Sequence, residues 1–95
     1  MDHNTHTIGD LIKAFMKRNN LEERIEEVDI NQNWEEIAGP IVAKHTQRLV
    51  LKNQVLTLYL NSAALRHTLS FSKSEFIEKL NTSLGKELIK DIVLK

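Results

Sequence analysis

The chain has no cysteine among its 95 residues, which excludes disulfide bridges and metal sites built from thiolates. Its three glycines and one proline form neither a glycine-rich phosphate-binding loop nor a Gly-x-Ser-x-Gly motif, so two common kinds of enzyme site are absent. No apolar run is long enough to cross a bilayer. The remaining composition, 41% hydrophobic and 27% charged, is typical of one small globular domain over residues 1–95, with an ordered core at about 7–94.

Acidic residues are also missing from the middle of the chain. Residues 37–74 contain no aspartate or glutamate, yet they carry five basic residues. Residues 1–36 have the opposite balance, with nine acidic and four basic residues, so a formal net charge of zero conceals a polarised chain. A basic segment without carboxylates attracts phosphate, and an acidic segment can contact a different partner. Part of the pattern has a structural explanation, because apolar strands exclude carboxylates in any protein.

Neither a catalytic set nor a metal site can be assembled from these residues. His3 and His6 have a spacing that could hold a metal, but no third ligand lies near them in the sequence. The glutamates form three adjacent pairs that are expected on solvated helix faces: Glu22–Glu23, Glu26–Glu27 and Glu35–Glu36. The first residues lack the basic and apolar regions of a signal peptide. We therefore expect a cytoplasmic protein that is not an enzyme, uses no cofactor or metal and does not bind a membrane.

The N-terminal part of the chain predicts an amphipathic helix. Thr7 and Asp10 have the spacing of a capping box, in which each residue bonds to the backbone N–H of the other. Apolar residues then follow on one helical face: Ile8, Leu11, Ile12, Phe15 and Met16. Asn19-Asn20 is expected to end this helix.

A second helix is predicted to begin near Leu21, and its apolar stripe changes face part-way along. The first stripe holds Ile25 and Val28, and the second holds Ile30, Trp34, Ile37 and Ile41. Either the helix bends within residues 29–33, or a new helix starts there with Asn33 as its N-cap. Gly39-Pro40 then interrupts the helix, because proline disfavours helical dihedrals at the residue before it. The apolar stripe predicts that Trp34 lies in the core.

A β-hairpin is predicted around a two-residue turn at Asn53 and Gln54, with Asn53 the better candidate for a positive φ. One face is almost all leucine and is expected to point into the core, with pairs Leu51–Leu56, Leu49–Leu58 and Gln47–Leu60. The other face is expected to be exposed, with pairs Lys52–Val55, Val50–Thr57 and Arg48–Tyr59. A slip of one residue would exchange the two faces, so the leucine pattern determines the register.

One long helix is predicted over residues 63–84, capped by Asn61 or Ser62 and ended by Gly85. Its buried stripe contains Leu65, Leu69, Phe76, Leu80 and Leu84, with Phe71 and Ile77 near the edges. Residues 86–95 then predict a third strand. The order ααββαβ indicates an α+β fold, a two-layer sandwich in which helices pack on one face of a three-stranded sheet.

These elements contain a recognisable motif. Trp34-Glu35-Glu36-Ile37-Ala38-Gly39 is followed by His45-Thr46, the leucine-rich hairpin and Ser62 at the start of a helix that contains Leu69. Over roughly residues 8–94 this order and spacing resembles the DciA family. The chain departs from the family pattern at Gln54, where many members have glycine, and at residues 63–65, where many have tryptophan.

The resemblance implies a KH-like fold and a role in handling the replicative DNA helicase, because members of the family are regarded as helicase loaders or operators that also contact DNA. The motif residues are interpreted as structural, and they are Trp34, Ile37, Gly39, His45, Thr46 and Ser62; His45-Thr46, directly before a strand, could instead contact phosphate. The three glycines do not form the Gly-x-x-Gly loop with which KH domains grip a nucleic-acid backbone. Weak, salt-sensitive binding to single-stranded or forked DNA is therefore expected.

The candidate nucleic-acid contacts come from the acid-free segment: Lys44, Arg48, Lys52, Tyr59, Arg66 and Lys73. In this set Tyr59 could stack on an unpaired base. The candidate contacts for a partner protein are the acidic residues Glu22, Glu23, Glu26 and Glu27. Two alternatives remain beside a DNA-binding replication adaptor. One is a module that docks on the helicase without binding nucleic acid, and the other is a KH-like domain that binds RNA.

Overall fold

A computed structural model of the protein describes residues 7–18 and 21–95. The first helix, α1 (Ile8–Arg18), begins with the predicted capping box. The Thr7 hydroxyl accepts a hydrogen bond from the Asp10 N–H at 3.0 Å, and the Asp10 carboxylate accepts one from the Thr7 N–H at 3.4 Å. The predicted helix end at Asn19-Asn20 and the pair His3 and His6 lie outside the described residues.

Three helices follow α1 before the sheet begins. They are α2 (Leu21–Gln32), α3 (Trp34–Ala38) and α4 (Pro40–His45). Asn33 separates α2 from α3 as the second alternative predicts, but its side chain does not cap α3 and instead donates to the Asp29 carbonyl at 3.0 Å. Gly39 has a φ of +95°, a conformation that other residues rarely adopt, and Pro40 is the first residue of α4.

The position of Ile41 is a correction to the predicted apolar stripe. Trp34 and Ile37 are buried as predicted, but Ile41 is 68% exposed. The turn at Gly39 changes the direction of the chain, so the helical stripe does not continue into α4. Val42 is the residue of α4 that enters the core.

The sheet has the strand order β1-β2-β3, formed by β1 (Thr46–Lys52), β2 (Val55–Leu60) and β3 (Asp91–Leu94). β2 pairs with β1 in antiparallel fashion and with β3 in parallel fashion. Five of the six predicted hairpin pairs are confirmed, whereas the pair Gln47–Leu60 is wrong. Thr46 pairs with Leu60 instead, because the register shifts between Thr46 and Arg48 and leaves Gln47 as the extra residue of a bulge.

The hairpin turn contains two residues with positive φ, Asn53 at +52° and Gln54 at +65°. This is the backbone conformation of a type I′ turn, whose twist matches the twist of the strands that it joins. Asn53 is confirmed as a residue with positive φ. Gln54 adopts the same conformation although it lacks the freedom of glycine.

The predicted long helix is divided into α5 (Ala63–Ser70) and α6 (Lys73–Leu84). The Ser62 hydroxyl caps α5 by accepting a hydrogen bond from the Leu65 N–H at 3.1 Å, and Gly85 ends α6 in the left-handed conformation. Hydroxyl groups around the break donate to carbonyls of the preceding turn: Thr68 to Ala64, Ser70 to His67 and Ser72 to Thr68. Such bonds compete with the helical ladder and favour an interruption.

The core lies between the leucine face of the sheet and the helices, so the predicted α+β fold is confirmed. From the sheet it contains Leu49, Leu51, Leu56, Leu58, Leu60 and Ile92, and from the helices Ile30, Trp34, Ile37, Leu69, Phe76 and Leu80. Ile89 is also buried, and the Asn81 side chain positions it by bonding to both its N–H and its carbonyl, at 2.9 and 2.8 Å. Among the helices of the described ranges, none is long and apolar enough to span a membrane.

Candidate nucleic-acid interface

The six residues predicted to contact nucleic acid fall on different surfaces. Arg48, Lys52 and Tyr59 lie on the face of the sheet opposite the leucines. Arg66 and Lys73 line a groove beside β3, at the other edge of the sheet. Lys44 is exposed near the end of α4. The acid-free segment therefore does not fold into one continuous site, and each surface has to be judged by its own chemistry.

The outer face of the sheet contains the predicted aromatic residue. Arg48 and Tyr59 are opposite each other on β1 and β2, and the Arg48 guanidinium carbon lies 5.5 Å from the centroid of the Tyr59 ring. This cation–π contact occupies one face of the ring. Lys52 lies four residues along the strand from Arg48, a separation of about 13 Å. The row between them is formed by Val50, Thr57 and Val93 and is uncharged.

The second surface is a groove of about 490 Å³ between α5 and β3. β3 is at the end of the strand order, so within residues 7–18 and 21–95 no strand pairs with its outer backbone edge. One face of α5 forms the opposite wall with residues at helical intervals, which are Ala63, Arg66, His67 and Ser70. Lys73, the first residue of α6, continues this wall. The groove thus combines two cationic side chains with an open strand edge.

Arg66 is held in place at one end of the groove. Its Nη1 atom donates to the Leu60 carbonyl at 2.9 Å and to the Lys95 carbonyl at 3.4 Å. These bonds attach α5 to the ends of β2 and β3, so Arg66 has a structural role in addition to its charge. Lys73 lies on the other side of the break between α5 and α6, as the first residue of α6.

Phe71 is the residue of this region that sequence reasoning assigned incorrectly. It was predicted near the edge of a buried stripe, but it lies in the break between α5 and α6 and is 78% exposed. Its ring meets the His67 ring edge-on, with centroids 4.8 Å apart and an interplanar angle of 88°. An aromatic residue flanked by two serines, Ser70 and Ser72, is the sequence signal that could have indicated an exposed turn.

One acidic residue lies in the groove as well. Asp91 begins β3 and is exposed, and its carboxylate accepts a hydrogen bond from the Ile92 N–H at 2.8 Å. Its negative charge opposes the binding of a polyanion. It also offers a direct way to test whether the groove is used.

The motif residues hold α3 and α4 against the hairpin. The indole Nε1 of Trp34 donates to the Thr46 hydroxyl at 3.0 Å, and that hydroxyl donates to the Val42 carbonyl at 2.7 Å. His45 Nδ1 lies 2.9 Å from Asn61 Oδ1, and the Asn61 N–H donates to the His45 carbonyl at 3.0 Å. The segment His45-Thr46 therefore makes internal bonds at the entry to β1.

Comparison with protein-family models identifies the family to which a chain with this arrangement belongs. The family model described as Dna[CI] antecedent, DciA, matches residues 7–94, which is nearly the whole chain. The chain belongs to the DciA family. Membership in DciA implies a role of the helicase-loader type in bacterial DNA replication, with the replicative helicase as partner. Comparisons with curated proteins and with solved structures gave no match.

The acidic helix of this DciA domain does not have the orientation expected from its sequence. The Glu27 carboxylate accepts a hydrogen bond from the Leu51 N–H at 2.8 Å, and that of Glu23 accepts one from the Gln54 N–H at 3.3 Å. Both glutamates thus contact the hairpin, and the prediction that they are solvated is wrong. The reason is that N–H groups on the outer side of the hairpin require acceptors: Glu27 supplies one for the edge strand β1, and Glu23 supplies one for the turn.

The other two acidic candidates differ from each other. Glu26 forms a salt bridge with Lys86, with 3.2 Å between Oε1 and Nζ. Glu22 is exposed, and no ion pair of its carboxylate is seen among the described residues. Three of the four acidic residues proposed for a partner protein therefore have partners within the DciA domain. Within the described ranges, no group of three or more histidine, aspartate or glutamate side chains is arranged to hold a metal.

Proposed function

We propose that this DciA protein is a non-enzymatic adaptor of bacterial DNA replication that binds single-stranded DNA in the groove between α5 and β3 while it handles the replicative helicase. The observation that carries the proposal is the composition of the groove. It combines Arg66 and Lys73 with a strand edge, and the exposed ring of Phe71 lies beside the groove against His67, a residue of its wall. Work at a replication fork requires the protein to be cytoplasmic.

Each part of the groove matches a part of a single strand. The two cations attract phosphates, and the exposed face of Phe71 can stack on an unpaired base. The Ile92 N–H already donates to the Asp91 carboxylate, so the other outward backbone groups of β3 are the ones that can bond to base edges. A helix–turn–helix beside an open strand is also the arrangement by which a KH-like domain would bind, but Ser70-Phe71-Ser72-Lys73 occupies the turn in place of Gly-x-x-Gly.

Because that loop is absent, we expect charge to dominate the affinity. Dissociation constants should lie in the range of non-specific complexes, about 10⁻⁴–10⁻⁶ M, and should rise steeply with salt. Base stacking on Phe71 should add a smaller contribution that salt does not remove. These two contributions can be separated by substitution.

The test is titration of a labelled oligothymidine at several salt concentrations. Lys73→Gln should weaken binding about threefold to tenfold and reduce the slope of log K against log salt by about 0.7. Phe71→Ala should weaken binding about fivefold or more and leave that slope unchanged. Lys86→Gln is the matched control, because it removes the same charge from a salt bridge beside α2 rather than from the groove.

Further variants distinguish the groove from the other surfaces. Asp91→Asn should tighten binding, since it removes the acidic charge in the groove. Arg48→Gln combined with Lys52→Gln tests the outer face of the sheet, and Lys44→Gln tests α4. If only these last variants weaken binding, the groove is the wrong site. If the unaltered protein does not bind at low salt, the domain is a helicase-docking module only, and stronger binding to oligouridine would favour an RNA-binding role.

A further inference from the structure

The orientation of α2 leaves two of its apolar residues exposed to solvent. Glu23, Glu27 and Ile30 occupy the side of the helix that faces the sheet. Ile25 and Val28 consequently lie on the other side and are 54% and 53% exposed. A helix normally buries its aliphatic stripe and exposes its carboxylates. The reversed arrangement indicates that the aliphatic side of α2 contacts something other than its own core.

The preceding helix presents a second apolar stripe. In α1 the exposed fractions range from 51% to 76% over four residues: Ile8, Leu11, Ile12 and Phe15. The core of the domain contains no residue of α1 among those that the structure describes. The stripe is therefore not required to complete the fold of the remaining chain.

The two stripes place six apolar residues, each more than half exposed, on two consecutive helices. Singly scattered exposed apolar residues are normal on a monomer, whereas a group of them marks an interaction surface. A standard protein interface buries about 800 Å² per partner.

Charge indicates which partner covers these stripes. α1 has three basic residues and one acidic residue, whereas α2 has five acidic residues and one basic residue. Each chain thus carries one amphipathic helix with a net positive charge, α1, and one with a net negative charge, α2. An anionic membrane would attract α1 but would be repelled by the adjacent acidic helix. A second copy of the same chain supplies an acidic helix for α1 and a basic helix for α2 at the same time.

We propose that this protein forms a homodimer in which α1 of each chain packs against the apolar side of α2 in the other chain. A two-fold axis makes the contact twice, as in other isologous dimers. The apolar stripes cover each other, and Lys13 of one chain approaches the acidic residues Glu22 and Asp29 on the outer side of its partner's α2. The dimer carries two α5–β3 grooves, so each particle has two separate sites for the ligand.

Sedimentation equilibrium of the full chain at concentrations from about 1 to 100 µM tests the proposal. The unaltered protein should be dimeric. Leu11→Glu combined with Ile25→Glu should raise the dimer dissociation constant about tenfold or more, because it places charges in the apolar contact. Ile41→Glu is the control, since Ile41 is an exposed apolar residue as well, at 68%, but belongs to α4, and it should leave the dimer unchanged. Circular dichroism establishes that all three proteins are folded.

A charge exchange tests the arrangement of the helices. Lys13→Glu should weaken the dimer, as should Glu22→Lys combined with Asp29→Lys, and the triple variant should recover affinity because the complementary signs are restored. A monomeric unaltered protein at the highest concentration overturns the proposal. An unchanged dimer in the Leu11→Glu, Ile25→Glu variant also overturns it. If the protein is monomeric and the same substitutions abolish its retention on immobilised replicative helicase, the stripes bind the helicase. That result also overturns the homodimer.

Discussion

At the scale of single residues, Trp34 joins more parts of the molecule than any other side chain of the motif. Its ring lies in the core, and its Nε1 reaches the Thr46 hydroxyl, which in turn bonds to the Val42 carbonyl. The ring thus connects α3 with α4 and with the first residue of β1. Its role is structural, which agrees with its prediction as a core residue.

Trp34→Ala should reduce the free energy of unfolding by about 3–5 kcal/mol, because it removes a large buried ring and leaves a cavity. Thr46→Val should cost only about 1 kcal/mol, since it removes the hydroxyl but retains the volume. Urea denaturation followed by circular dichroism measures both changes. Equal midpoints for Trp34→Ala and the unaltered protein would show that the ring is not part of the core.

The turn residue Gln54 is under conformational strain that glycine would relieve. A positive φ costs an L-residue about 1–2 kcal/mol relative to glycine. Gln54→Gly should therefore raise the free energy of unfolding by about 1 kcal/mol, reduced slightly by loss of the 3.4 Å bond from its side chain to the Leu88 carbonyl. A thermal melt measures the change. A lower melting temperature would mean that the side-chain bond outweighs the strain.

At the scale of elements, the contact between α2 and β1 determines how the N-terminal half is organised. Edge strands are protected in many proteins, because their unpaired N–H groups can otherwise pair with another chain. In this protein the Glu27 carboxylate accepts from the Leu51 N–H of β1, and the Glu23 carboxylate accepts from the Gln54 N–H in the turn that follows the strand. The same contact fixes the rotation of α2 and leaves Ile25 and Val28 exposed.

Glu27→Ala should reduce the free energy of unfolding by about 1–3 kcal/mol, because the Leu51 N–H loses its acceptor. Glu22→Ala is the matched control on the same helix, and as an exposed residue it should change stability by less than about 0.5 kcal/mol. Chemical denaturation of the two variants under identical conditions provides the comparison. Similar effects for both would mean that the carboxylate bond to β1 is unimportant.

At the scale of the whole molecule, the sheet and α2–α6 form the folded unit, whereas α1 adds a separate amphipathic helix. Every residue of the described core comes from residues 30–92. Removal of residues 1–20 should therefore leave the remaining domain folded. At low protein concentration its melting temperature should change by less than about 3 °C. Circular dichroism after truncation tests this expectation, and an unfolded product would place α1 in the core.

Several features were determined by the sequence itself because they depend on local chemistry. The capping box of α1, the positive φ of Asn53, the cap at Ser62 and the terminator at Gly85 each depend on a few adjacent residues. The alternation of leucines determined the hairpin register, since only one register buries them all. The motif around Trp34 was sufficient to indicate the family.

Other features were decided only by the tertiary structure, because they depend on groups distant in the sequence. Glu23 and Glu27 turned inward because the hairpin, more than twenty residues away, offers the N–H groups of Gln54 and Leu51. Phe71 became exposed because the helix breaks at the hydroxyl bonds around it. Arg66 and Lys73 came together beside β3, while Arg48 and Lys52 were left on another surface. Charge along the chain predicted that a basic surface exists, but only the packing of α5 against β3 determined where that surface lies.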